Sequence, residues 1–157
     1  MNLNDKIEIF KLVINDLEKN LKVLVESAFE AKEASTNEES KAENKYDTRG
    51  LEASYLASGQ AKRAQELQEK IYLLKKVEVK DFSEEDSIGI SSLIKILIDD
   101  SEQYFFIIPA GGIEVKYKNQ SIKTINIESP LGSQIFGQKL GHDFQLNNKE
   151  YEVVEVF

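Results

Sequence analysis

Residues 7–33, IEIFKLVINDLEKNLKVLVESAFEAKE, decide the fold. Within them Phe10, Ile14, Leu17, Leu21, Leu24, Ala28 and Ala31 recur in alternating steps of four and three, the period of a coiled-coil seam. A second series, Ala53, Ala57, Gln60, Ala64, Leu67, Ile71 and Leu74, keeps the same alternation. A hairpin sets the end of the second series beside the start of the first, and opposed residue numbers then total 84 or 85 at every step. The register never slips, so the chain reverses near Ala42. The spacing predicts an antiparallel two-helix coiled-coil hairpin over residues 1–78.

Side-chain size along the seam adds a gradient. The open end pairs Phe10, Ile14 and Leu17 with Leu67, Ile71 and Leu74, and the end near the turn pairs Ala28 and Ala31 with Ala53 and Ala57. Small residues let helix axes approach, so a taper is expected, with arms on the order of 40 Å long at ~1.5 Å per residue. At the far end stand Glu38, Glu39, Glu43 and Asp47. Carboxylates on a narrow rod suit delivery into a deep, confined site; a solvated turn explains the same residues.

Composition excludes several function classes. The chain of 157 residues has no cysteine, hence no disulfide framework, thiolate metal site or cysteine nucleophile. Its apolar runs, such as Phe105 to Ile108, are too short to span a bilayer, and Met1 is followed by Asn2, Asn4 and Asp5 rather than by a signal region. A soluble cytoplasmic protein is expected. The net charge of −8 is uneven: residues 1–80 carry −1 and residues 81–157 carry −7. Independent binding to duplex DNA is disfavoured by that balance, and a protein partner is favoured.

In chain order, Asn4 or Asp5 is placed to cap the first helix, and Ile7 to Glu33 runs without Gly or Pro. Thr36 and Asn37 are its first weak points, Thr48 is a cap for the return arm, and that arm continues to about Lys76. Residues 79–86 form an acidic linker between the hairpin and a second domain, 87–157. There the pattern changes to strand-like segments: Leu93 to Ile98, Gln103 to Ile108, Ile122 to Ile127, Asp143 to Leu146 and Tyr151 to Phe157. Turn signals between them include Ala110-Gly111-Gly112, Lys118-Asn119-Gln120 and Asn147-Asn148. The alternation slips at Val153-Val154, which fits a bulge or a strand covered on both faces. One short helix interrupts the strands: Ser129 is its cap, Pro130 its first residue, Ile135-Phe136 its packing face, and Gly137 or Gly141 its end. The class is α+β.

The run ESPLGSQIFGQKLGHDF over residues 128–144, followed by Tyr151-Glu152-Val153-Val154-Glu155-Val156, resembles the C-terminal domain of the GreA/GreB transcript cleavage factors of bacterial RNA polymerase. Glu43-Asn44 before Tyr46 is similar to the tip of that family's coiled coil, and the resemblance covers nearly the whole chain. It implies an FKBP-like C-terminal domain, a small antiparallel sheet wrapped on one short helix. It also implies that Ser129, Pro130 and Leu131 dock at the rim of the polymerase secondary channel, in addition to starting the helix. The hairpin would enter the channel and stimulate cleavage of backtracked RNA, with the polymerase supplying the intrinsic nuclease. The chain would be a monomer and not an enzyme alone; it would bind RNA polymerase, act on the RNA 3′ end only indirectly, and bind no membrane.

The chemistry implied is hydrolysis at two Mg²⁺ ions, one of them shared between the polymerase and the tip carboxylates and not stably bound by this chain alone. The family's acidic pair is spaced i, i+3. Here Glu43 fits the second place, but Ser40 falls on the first; Glu39, four residues before Glu43, shares its helix face, and Asp47 is a further candidate. Lys41, Lys45 and Arg49 are candidate contacts to RNA or to acidic polymerase surface; Lys62 and Arg63 either join them or form a solvated face. Tyr46 either stacks or buttresses the turn. His142, expected to be exposed, is assigned no chemistry, and Gly111-Gly112 lacks a phosphate-binding spacing. Two alternatives stand beside transcript cleavage: channel binding without cleavage, and a coiled-coil and FKBP-like interaction module with another client, which the absence of an aromatic-lined pocket in the sequence disfavours.

Overall fold

The computed structural model describes residues 1–36 and 49–157. The elements in order are α1 (Leu3–Thr36), α2 (Arg49–Leu74), β1 (Leu93–Ile98), β2 (Ser101–Ile107), β3 (Glu114–Tyr117), β4 (Gln120–Ile125), α3 (Pro130–Ile135), β5 (Asp143–Leu146) and β6 (Lys149–Val156). They fall into two compact units, Asn15–Tyr72 and a second made of Met1–Ile14 with Leu73–Phe157.

In the unit 15–72 the described elements are the two helices. Leu17, Ala31, Ala64 and Ile71 are buried, and Leu21, Leu24, Ala28, Ala57, Gln60 and Leu67 are half-buried. Apolar residues off this series, Val23, Val25, Phe29, Tyr55 and Leu56, are exposed. Burial therefore follows the seam positions and not hydrophobicity alone, as expected for helices that cover one stripe of each other.

In the other unit α1 begins two or three residues earlier than expected. Asn2 is its cap: the Asp5 N–H donates to Asn2 Oδ1 at 3.0 Å and the Asn2 N–H donates to Asp5 Oδ2 at 3.0 Å. Asp5, expected as a cap, instead closes a reciprocal capping box from the third helical position. At the other end α2 stops at Leu74, and Lys75 and Lys76 lie in the turn after it, where the Val77 N–H donates to the Leu74 carbonyl at 2.8 Å.

The sheet has six strands in the order β3-β4-β2-β1-β6-β5. It is mixed: β2 and β4 run parallel, with Tyr104 opposite Ile122 and Ile107 opposite Ile125, where an antiparallel sheet was expected. The difference comes from β3, which the sequence reading missed. Its four residues bury only Val115, so β3 takes the edge, and β4, which buries Ile122 and Thr124, takes the slot beside β2. Lys118 and Asn119, both at positive φ, make the tight turn that reverses β3 into β4, and Asn147 and Asn148 do the same between β5 and β6.

The slip at Val153-Val154 is a β-bulge. Lys95 pairs with Glu155 and the next residue, Ile96, pairs with Val153, leaving Val154 as the extra residue. One face of the sheet forms a core of Ile94, Ile96, Ile98, Phe105, Ile107 and Val153, with Ile88 from the segment before β1 and Ile135 from α3. Phe136, expected to pack beside Ile135, is instead 44% exposed because α3 ends there and its backbone turns away. The acidic connector is tied down as well: Phe82 packs on this core and the Lys80 N–H donates to Ser91 Oγ at 3.0 Å.

Candidate functional site

The corner that opens α3 is built from its hydrogen bonds. Ser129, in extended conformation, accepts from the Gly132 N–H at 3.0 Å and donates its hydroxyl to the Asn126 carbonyl at 2.7 Å. Pro130 follows at the first helical position, where a missing N–H leaves no bond unmade. The turn is so tight that a Cβ on Gly132 would lie 2.0 Å from the Asn126 carbonyl oxygen, so only glycine fits. Gly137, at φ +80°, lets the chain leave the helix.

Of the three residues expected to dock, Pro130 is exposed, while Ser129 and Leu131 are half-buried, Leu131 against the core. Ile127 and Phe136 place two more apolar side chains at the surface in this part of the chain. A cleft of 390 Å³ adjoins the corner, lined by Phe105, Gly111, Ile113, Ile125, Asn126 and Ser129. Gly111 lies close against the Ile125–Asn126 backbone, and a Cβ there would stand 2.9 Å from the Asn126 nitrogen.

Glu39, Glu43 and Asp47, with Lys41, Lys45 and Tyr46, lie outside the described residues, and so does the Thr48 cap. Arg49 is the first residue of α2. Lys62 and Arg63 are exposed. Among the described residues there is no group of three or more His, Asp or Glu able to hold a metal ion. No described donor set is therefore available to test for Mg²⁺.

His142 departs from the expectation of an exposed side chain. Its ring stacks on Phe144 at 5.4 Å between centroids, and Phe144 stacks on Tyr151 at 5.0 Å. The ring is half-buried and structural.

A polar cluster at the start of α1 was not anticipated. The Tyr117 hydroxyl lies 2.6 Å from Glu8 Oε2 and 2.9 Å from Asp5 Oδ1, its single proton shared between the two carboxylates, and Lys118 donates to Asp5 Oδ1 at 2.7 Å. The hydrogen bond from Lys118, then that from Tyr117, holds the Asp5 carboxyl down to about 2. The bond to Glu8, aided by burial, raises the Tyr117 hydroxyl to about 12. Lys6 is 0% exposed, donates to the Phe157 main-chain oxygen at 2.7 Å and to the Lys80 carbonyl, and lies 4.7 Å above the Phe82 ring. Desolvation depresses it to about 8 against an opposing pull from Asp81. The one hint in the sequence is that Lys6 shares a helix face with Phe10 and Val13 at steps of four and seven.

A two-helix unit joined to a mixed six-stranded sheet with one capped short helix defines an α+β protein. No protein-family model matches the chain, and no curated protein matches it. Solved structures similar to it include transcription factors. GreA factor homolog 1 (Gfh1) of Thermus thermophilus is 19% identical over 92% of this chain and 94% of its own, at a TM-score of 0.37. Thermus aquaticus Gfh1 is 20% identical over 93% of this chain and 94% of its own, at 0.35. The transcription elongation factor GreA/GreB from Nitrosomonas europaea is 16% identical over 68% of this chain and 91% of its own, at 0.33. The strand order and registers above define the fold independently of these likenesses. Among the described residues no helix is long and apolar enough to cross a membrane.

Proposed function

We propose that the chain is a Gre-like accessory factor of bacterial RNA polymerase that stimulates cleavage of backtracked RNA. The two helices close as a coiled-coil hairpin and enter the secondary channel, the Ser129-Pro130-Leu131 corner docks at its rim, and Glu39 and Glu43, with Asp47 in reserve, reach the polymerase active site. The observation that carries this reading is the corner. The run Ser129 to Gly132 that resembles the family motif is also a run whose backbone leaves no room at Gly132 for any side chain, while Pro130 remains free to touch a partner.

The chemistry follows from residue type. A carboxylate presented to a phosphodiester in a confined site orients the attacking water and accepts its proton. Mg²⁺ shared with polymerase aspartates would lower the pKa of that water and offset the developing charge. Lys41, Lys45 and Arg49 lie close in sequence to the tip acids, and their charges suit RNA phosphates or acidic polymerase surface. The test is a stalled elongation complex given the protein and Mg²⁺. Short 3′ RNA fragments are expected, and Glu39→Ala or Glu43→Ala should abolish them; no fragments from the unaltered protein would refute cleavage.

One observation favours a second reading. Ser40 stands three residues before Glu43, where an i, i+3 pair would need an acid. A channel-binding regulator without cleavage would compete with a known channel binder in the same assay and release nothing.

A further inference from the structure

The seam of the unit 15–72 is apolar at every position but one. Gln60 occupies a seam place between Ala57 and Ala64, and its Oε1 is buried without a hydrogen-bond partner among the described residues. The register expected from the sequence opposes it to Leu24, whose side chain has no donor to offer. An amide oxygen closed away from water with nothing to accept from makes the closed state costlier at that layer, and opening returns the oxygen to water.

The layers on either side are unequal. Toward the base, Leu17 and Ile71 are buried and Leu21 and Leu67 half-buried. Toward the tip the seam continues with Ala28, Ala31 and Ala57, each with far less apolar surface to bury. The larger apolar residues of that region, Val25, Phe29, Tyr55 and Leu56, face away from the seam and add little to closure.

We propose that Gln60 is a built-in break in the hairpin. The segments beyond it, Leu24 to Thr36 of α1 and the start of α2 up to Gln60, open and reclose together, while residues 15–21 and 64–72 stay closed. A polar residue at one seam position also fixes register at a cost in stability, and here that cost falls where the apolar seam is weakest. The part of the hairpin beyond Gln60 is thereby able to adjust the spacing of its arms without melting the base. This inference rests on the closed hairpin alone and not on the polymerase reading, so transcript cleavage can fail without touching it.

Amide hydrogen exchange on the full chain tests it. In the unaltered protein, amides of residues 24–36 and 52–60 should exchange at least tenfold faster than those of 15–21 and 64–72, with the step at the Gln60 layer. Gln60→Leu should slow the first group about tenfold and leave the second unchanged. Gln60→Ala, which removes the orphaned oxygen without adding a large side chain, should give a smaller slowing confined to the same residues. Equal exchange on both sides of Gln60, or slowing by Gln60→Leu that spreads evenly over both groups or is absent, would overturn the proposal.

Discussion

Replacing Lys6 with methionine should abolish a rise in stability between pH 8 and 9.5. The Lys6 ammonium is fully buried against the Lys80 and Phe157 oxygens and the Phe82 ring, and its folded-state value is about 8 against an ordinary 10.5. Below pH 8 both folded and unfolded chains carry the proton, so pH has no leverage. Above it the folded chain sheds the proton while the unfolded chain keeps it up to 10.5, and stability increases with pH at up to about 1.4 kcal/mol per unit. At ~1.36 kcal/mol per pKa unit the whole window is worth about 3 kcal/mol as an upper bound. Tyr117 and Lys118 are both raised, so each opposes folding with rising pH only as the solution passes its ordinary value near 10 or above. Between 8 and 9.5 Lys6 acts nearly alone.

Lys6→Met removes the buried charge but leaves two main-chain oxygens without their donor, at roughly 1–3 kcal/mol each if water cannot reach them. At pH 7 the relief and the loss nearly offset, so the variant should lie within about 2 kcal/mol of the unaltered protein. At pH 9.5 the gap should widen, because only the unaltered protein has gained. Urea midpoints at pH 7, 8, 9 and 9.5, with the slope m checked for constancy, measure this directly. Parallel pH profiles for the two proteins would refute the reasoning, whatever the offset between them.

Two further outcomes follow from the same unit. Gly132→Ala forces a Cβ to within 2.0 Å of the Asn126 oxygen, so the corner must shift; a loss of about 2–4 kcal/mol, read as a fall in Tm, is expected, and an unchanged Tm would show that the loop yields freely. Asp5, held down to about 2, contributes stability that is present above its ordinary value near 4 and lost as pH falls toward 2. Asp5→Asn should therefore flatten the acid limb of the stability profile below pH 4 in thermal melts, while an unaltered acid limb would assign that limb to other carboxylates.

The features legible in the sequence were those with a local cause. Within residues 15–72 seam spacing identified which helix positions are covered, although nearer the start of α1 the fully buried Ile9 and Val13 lie off that series; Ser129-Pro130 placed α3; the pair Asn147-Asn148 marked a turn that requires positive φ; and a single slip in alternation located the Val154 bulge. The features missed depend on what lies across the fold. Glu114 to Tyr117 alternates as a strand should, but four residues beside a glycine pair carry too little signal until β4 supplies hydrogen-bond partners. The parallel β2–β4 pairing is likewise a competition between two strands for one slot, settled by how much each can bury. Lys6 reads as a surface lysine because the oxygens that hold it come from residues 80 and 157.

Gly132 shows how the two kinds of information meet at the candidate site. In sequence it is one of eight glycines, set apart only by its place after Ser129-Pro130-Leu131. In the fold it lies where Asn126 crosses the first turn of α3, and any side chain there would push the loop that presents Pro130. Ser129 fixes the same turn from the other side with two hydrogen bonds, one accepted and one donated. The docking role proposed for Pro130 would draw on this geometry, since each backbone torsion already fixed is entropy an encounter does not have to supply.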